Sequence, residues 1–335
     1  KRKIDQSSCN KDYSCVEGFC PSFVSVSGAK LKKSSGGNKA GLDSMGALPA
    51  PRLPALHEPY GIMITGVGGT GVVTIGQVLA MAAHLDNKGI TVLDMAGLAQ
   101  KGGSVWSHVR IADSQDKLHA VRIAAGDANL VLGCDLVVTA AEEALAKMRE
   151  GFSHVVVNSY ESPTSAFLKN PDVRFPARAM KDAIIESVGG SHFAEVNATR
   201  IATALMGDGI AANMFMLGYA WQQGLVPISF DALMRAIELN GAAVEMNKTA
   251  FAWGRLAAID PEAVYEAAGV VRNAPTVAED TPAALQSLPP CVPPGTRSSA
   301  SIAATPTCLP IYRLLQVATR PSTRSLNSAA GCSTA

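Results

Sequence analysis

The sequence predicts an α/β fold: an open, mainly parallel sheet with a run of helices at its C-terminal end. Three observations lead there. From Tyr60 onward, short apolar runs rich in branched residues alternate with stretches of helical spacing. Glycine clusters stand where strands should hand over to helices, as in "GVGGTG" at 66–71. Ahead of this body lies "CNKDYSCVEGFCP", which crowds Cys9, Cys15 and Cys20 into a stretch with no hydrophobic pattern.

Composition narrows the class. The chain has 335 residues, 47% hydrophobic and 17% charged, with a net charge of +1, which suits one globular domain of ordinary size with appendages. A charge near zero gives no basic stripe for nucleic acid or an anionic membrane surface. "KRK" at 1–3 and "KLKK" at 30–33 read as solvated charges. The longest strongly apolar run, Ile210 to Trp221, falls short of the roughly 20 residues that span a bilayer and predicts a buried core helix. Seven cysteines are an odd number for a disulfide scaffold in so long a chain, so a reducing cytoplasm is expected. The first residue is Lys and no signal-peptide pattern follows, so the sequence reads as beginning inside a longer protein.

Four regions follow in order: a cysteine segment at 1–26, a Gly/Ser/Pro-rich linker or extended segment at 27–58, the body at 59–258, and a helical end with a tail at 259–335. In the body, "YGIMITG" predicts a strand, "VVTIGQVLAMAAHLDNKG" a helix and "ITVLDM" a second strand, together the length of one βαβ unit. Further strands are expected at Val105–Ile111, Leu118–Ile123, Asp135–Ala140 and His154–Ser159, with "EEALAKM" helical between the last two. "KDAIIESVG", "ATRIATALMG", "IAANMFMLGYAWQQG", "SFDALMRAIELNG" and "PEAVYEAAG" read as closing helices. From Thr281 to Ala335 there is no Asp, Glu, Lys or His, which points either to disorder or to translation in a wrong frame. Cys291, Cys308 and Cys332 lie in that tail and receive no role.

Several groups can carry chemistry. Cys9, Cys15 and Cys20 followed by Pro21 come near the iron–sulfur spacing in which thiolates of one tight loop grip a cubane cluster, as in half of a ferredoxin-like module. Zinc more often shows two C-x2-C pairs. Three thiolates do not complete a four-thiolate site, so the remaining ligands are expected upstream; the alternative is three loop thiols without a role. Gly66, Gly68, Gly69 and Gly71 form a G-x-G-x-x-G loop between strand and helix, a Rossmann-like arrangement in which bare backbone can approach a diphosphate. Asp94 closes the second strand 23 residues later, where a dinucleotide site places a ribose-binding acid. The loop of Gln100, Lys101, Gly102 and Gly103 sits on the ligand-binding edge of such a sheet, with Ser104, His108 and Arg110 as further donors. Alternation puts Trp106, His108 and Arg110 on one face of the following strand, which is also what an ordinary polar sheet surface looks like. "GDG" at 207–209 joins two helices and reads as a helix break, not as a thiamine-diphosphate motif. Cys134 leads an apolar run and reads as a packed small side chain.

Taken together, "IDQSSCNKDYSCVEGFCPSFVSV", "GVGGTGVVTIGQVLAMAA", "DMAGLAQKGGSVWSHVRI", "GDGIAANMFMLGYAWQQGLVP" and "AIELNGAAVEMNKTAFAWGR" resemble the central part of the large, fused indolepyruvate:ferredoxin oxidoreductases, which belong to the thiamine-dependent 2-oxoacid:ferredoxin oxidoreductases. The resemblance covers about residues 1–258 and ends before the tail. It implies that residues 59–258 are the gamma domain and that Cys9, Cys15 and Cys20 ligate a [4Fe–4S] cluster. It implies oxidative decarboxylation of a 2-oxoacid, with coenzyme A taking the acyl group and ferredoxin the electrons. Loop chemistry adds two expectations: the 66–71 loop, a phosphate-shaped turn, meets the diphosphate of coenzyme A, and the loop at 100–103 faces the domains that hold thiamine diphosphate and Mg. Those domains are absent from this sequence, so the chain alone is expected to be inactive and, at full length, to form a homo-oligomer. Two other classes stay open: an NAD-dependent dehydrogenase or nucleotide-binding protein using 66–71 and Asp94, and a non-catalytic docking subunit.

Overall fold

The computed structural model describes residues 48–97, 103–162 and 175–271, together with two short strands, β1 (Arg2–Ile4) and β2 (Phe23–Ser25). Cys9, Cys15, Cys20, Gln100, Lys101, Gly102 and the tail after Thr281 lie outside the described residues. β1 and β2 pair antiparallel, so the backbone brings together the two ends of the cysteine-bearing segment.

The body is a six-stranded sheet between two helical layers. Its strands are β3 (Tyr60–Val67), β4 (Gly89–Ala96), β5 (Ser104–Ala112), β6 (Leu130–Gly133), β7 (His154–Asn158) and β8 (Phe193–Val196), in the order β4-β5-β3-β6-β7-β8. β3, β6, β7 and β8 run parallel, while β5 pairs antiparallel with both β3 and β4. The expected βαβ unit of β3, helix α1 (Val72–Leu85) and β4 is present, but β5 is inserted between its two strands.

Side chains of β3 alternate between two cores, as a sheet buried on both faces requires. Ile62 and Ile64 join the larger core, with α1, α5 (Ala198–Met206), α6 (Ala212–Gln222), α7 (Phe230–Asn240), α8 (Val244–Ile259) and α9 (Pro261–Ala268). Met63 joins the smaller one, covered by α2 (Leu136–Thr139), α3 (Glu142–Leu145) and α4 (Ala177–Val188). The apolar run at 210–221 forms α6, almost wholly buried as its composition predicts. α6 and α8 cross closely because each offers a glycine. Gly218 faces the Phe251 carbonyl and Gly254 the Phe215 carbonyl, and a Cβ at either position overlaps that oxygen.

Three local expectations are corrected. "DLVVTA" is not a strand: the strand is the preceding "LVLG", and Asp135 turns the chain into α2 by accepting the Val138 amide at 3.0 Å as its N-cap. "LHAVRI" is not a strand either, since both edges of β5 are already taken by β3 and β4. It crosses the sheet face instead, held by the Ile123 amide donating to His108 Nδ1 at 3.3 Å. β8 and the sixteen-residue α8 appear where neither was expected.

The end of the Gly/Ser/Pro-rich stretch lies along the helices. Leu48, Leu53 and Leu56 pack on the larger core, and Gln222 Nε2 donates to the Pro49 carbonyl at 2.8 Å. Arg255, 8% exposed, donates to Gln222 Oε1 at 2.8 Å and reaches the Leu48 carbonyl at 3.5 Å. Its guanidinium lies 4.9 Å from the ring centres of both Trp221 and Phe230.

Candidate functional site

The C-terminal ends of the parallel strands form the edge where open α/β sheets bind ligands, and the glycine loop lies there, between β3 and α1. Each glycine has its own reason. Gly66 sits against the Val72 side chain, with the Cys134 Cβ 3.2 Å from where its own Cβ would be. Gly69 and Gly71 hold φ of 85° and 90°, the left-handed region that side chains disfavour, and the space beside Gly69 is open. Gly68 donates its amide to the Gly103 carbonyl at 2.8 Å. That bond joins the two loops singled out by sequence, 66–71 and 100–103, at the one residue of the second loop that is described. The register Val67↔Ser104 enforces the meeting, because β5 starts beside the end of β3.

α1 begins at Gly71 with no side-chain cap. The amides of Gly69, Gly71, Val72 and Val73 have no partner among the described residues, and they lie at the positive end of a fourteen-residue helix. Such a turn offers donors to an anion. One further residue holds it in shape. Asn213, 7% exposed at the start of α6, donates through Nδ2 to the Thr70 carbonyl. The signal in the sequence was a lone amide in the apolar run "IAANMFMLGYAW", but its partner stands 143 residues away.

The rest of this edge is structural. Asn158 closes β7 by donating to the Cys134 carbonyl at 3.1 Å and the Thr199 hydroxyl at 2.8 Å. Burial pushes the Cys134 thiol up to about 12, with the Asp135 carboxylate adding to the shift, so Cys134 is a packed side chain and not a nucleophile. Asp208 of "GDG" accepts the Ile210 amide at 3.0 Å as a cap in the break between α5 and α6.

Two proposed donors stand elsewhere. Trp106, His108 and Arg110 do share a face of β5, but the face is turned toward the smaller core, against which Trp106 packs. His108 is 2% exposed under the 118–123 segment, and burial first, then Arg122 and Lys147, lower its pKa to about 4, so the ring is neutral near pH 7. Arg110 lies six residues along β5 from Ser104, about 20 Å at roughly 3.4 Å per residue, and is bound to the Arg122 carbonyl at 3.4 Å. Asp94 accepts the Ser107 hydroxyl and belongs to β4, on the far side of β5 from β3. At about 4.8 Å per strand it stands one strand further from the glycine loop than the ribose acid of a dinucleotide site.

Fold and site therefore define an α/β protein with free backbone amides at the C-terminal edge of its parallel strands and no reacting side chain brought to that edge among the described residues. The family model for pyruvate ferredoxin/flavodoxin oxidoreductase matches residues 61–257, more than half of the chain, and the chain belongs to that family. The indolepyruvate oxidoreductase subunit IorB of Methanothermobacter thermautotrophicus is 29% identical over 194 residues, covering 57% of this chain and 94% of that subunit. The subunit of the same name from Pyrococcus horikoshii is 27% identical over 203 residues, covering 60% and 96%. In both, the matched body makes up nearly the whole subunit. Among solved structures, the pyruvate oxidoreductase subunit PORC of Thermotoga maritima is 21% identical, over 59% of this chain and 96% of that one, with a TM-score of 0.43, a likeness too slight to argue from. Membership makes the chain part of a larger oxidoreductase, one that acts on an oxo group with an iron–sulfur protein as acceptor and joins other subunits of the same enzyme. No helix among the described residues is long and apolar enough to cross a membrane.

Proposed function

We propose that the chain serves an indolepyruvate:ferredoxin oxidoreductase and holds coenzyme A at the glycine turn. The reaction takes an aryl 2-oxoacid, coenzyme A and two oxidised ferredoxins to acyl-coenzyme A, carbon dioxide, two reduced ferredoxins and a proton. Carbanion stabilisation, the chemistry that thiamine diphosphate with Mg supplies, belongs to other domains, since no residue described here fits that group. Cys9, Cys15 and Cys20 would hold a [4Fe–4S] cluster through thiolates, soft donors suited to iron, with the remaining ligand from elsewhere. In this reading Gln100, Lys101, Gly102 and Gly103 border the bound coenzyme and face the thiamine-bearing domains, and Lys101 adds a cation beside the diphosphate.

One observation carries the coenzyme assignment: the amides of Gly69, Gly71, Val72 and Val73 have no partner among the described residues, and the space beside Gly69 is open among them. The turn fits a diphosphate because absent side chains let its oxygens reach those amides. The test is made on the assembled enzyme, following ferredoxin reduction with indolepyruvate while coenzyme A is varied. Asn213→Ala, which frees the Thr70 carbonyl, is expected to raise the KM for coenzyme A about tenfold while leaving the KM for indolepyruvate in place. Equal changes in both would overturn the assignment, as would pyruvate outperforming indolepyruvate for the substrate. Iron content and the broad visible absorbance of the anaerobically purified assembled enzyme, lowered on Cys15→Ala, check the cluster ligands separately.

A further inference from the structure

The N-terminal edge of the parallel strands, opposite the glycine loop, carries a groove. It consists of two adjoining depressions of about 370 and 380 Å3 that share His154 and Leu225. Each lies at the small end of the roughly 300–1,000 Å3 typical of ligand sites. Arg52 and Leu53 from the extended segment, Phe152 from the loop before β7 and Gln223 after α6 contribute walls, and His192 comes from the turn before β8. The eight residues of β3, at about 3.3 Å each, separate this edge from the glycine loop, too far for one small ligand to touch both.

The polar groups of the floor are committed. The Tyr60 hydroxyl donates to the Leu225 carbonyl at 2.9 Å, and Asn129 Oδ1 accepts the Gly61 amide at 2.8 Å. The histidines of the groove face each other. The His154 and His192 rings lie 4.4 Å apart between centres, and Ser191 Oγ is 3.1 Å from His192 Nδ1. No carboxylate lines either depression among the described residues. Of the nearby charges, Glu195 pairs with Lys181 at 2.5 Å, Glu150 lies toward Gly189, and Arg149 covers the Phe152 ring at 3.9 Å. Burial first, then the His192 ring, hold His154 below the usual imidazole range. What His154 lacks is a negative charge beside it, which would let its imidazole keep its proton. Arg52, exposed, offers the planar fork that matches a carboxylate. Leu53, Phe152 and Leu225 offer an apolar wall beside it.

We propose that this groove binds a small organic acid with an aromatic or branched apolar part, its carboxylate between Arg52 and the His154–His192 pair and its apolar part against Leu53, Phe152 and Leu225. A bound carboxylate favours the protonated form of His154, so affinity rises as pH falls. The site is independent of the coenzyme reading, and its test does not involve turnover.

Phenylacetate is titrated into the full chain and followed by calorimetry and by the histidine ring signals in NMR spectra. The expected result is saturable binding, about tenfold tighter at pH 6 than at pH 8, that moves the His154 and His192 signals. Arg52→Gln, a change at an exposed side chain that leaves the core intact, should weaken it at least tenfold. His154→Gln should flatten the pH dependence. Phenylacetamide, equal in shape and uncharged, should not bind. The proposal is overturned if phenylacetate does not saturate, if phenylacetamide binds as well, if inorganic phosphate binds with equal affinity, or if Arg52→Gln changes nothing.

Discussion

His108 shows how a residue's type can be read from sequence while its role cannot. An imidazole alternating with Trp106 and Arg110 on a strand is an anion donor if the face is open and a neutral core group if it is covered. Ile123 covers it, and the ring accepts that residue's amide. The unfolded chain protonates this histidine as pH falls through about 6.5, whereas the folded chain resists until about 4. The stability is fully present above the upper value and is lost as pH falls through the window. Urea unfolding should therefore show a loss of about 1–2 kcal/mol between pH 7 and pH 5 that His108→Gln removes. Asn213 is the opposite case: its isolation in an apolar run marks it, but only the fold supplies Thr70 as its partner.

Among the elements, those with long periodic patterns were legible: β3, α1, β4, β5 and β7, and helices α5, α6, α7 and α9 all occur where spacing predicts them. One error fell where two short apolar runs compete. In "LVLGCDLVV" either half can form a strand by pattern, and Asp135 decides because its side chain caps a helix. The α6–α8 contact was invisible for another reason, since its glycines matter only through backbone oxygens on the facing helix. Gly254→Ala should destabilise the chain by about 3 kcal/mol or more through overpacking, whereas Gly207→Ala, beside which a Cβ meets nothing, should cost about 1 kcal/mol from its positive φ alone. Chemical denaturation of the two variants compares them directly.

For the molecule as a whole, residues 48–57 pack as part of the body. Arg255 has no carboxylate partner among the described residues. It is held by two aromatic rings, Gln222 and the Leu48 carbonyl, and so ties the incoming chain to α6 and α8. Arg255→Ala should lower stability by about 2 kcal/mol and, measured by hydrogen exchange, speed exchange across 48–57 before the rest of the body opens. An unchanged exchange rate there would show that the leucines alone hold the segment.

The sequence by itself determined the fold class, the place of the glycine loop and the family, because periodicity and glycine spacing are local properties that neighbours in the chain carry. Only the tertiary structure decided that β5 enters between β3 and β4, which carries Asp94 away from a dinucleotide's reach. It alone joined Gly68 to Gly103, placed Asn213 under Thr70 and faced His154 with His192. Each of these depends on strand order and helix crossing, and those follow from how whole faces are buried, which no local stretch of residues encodes.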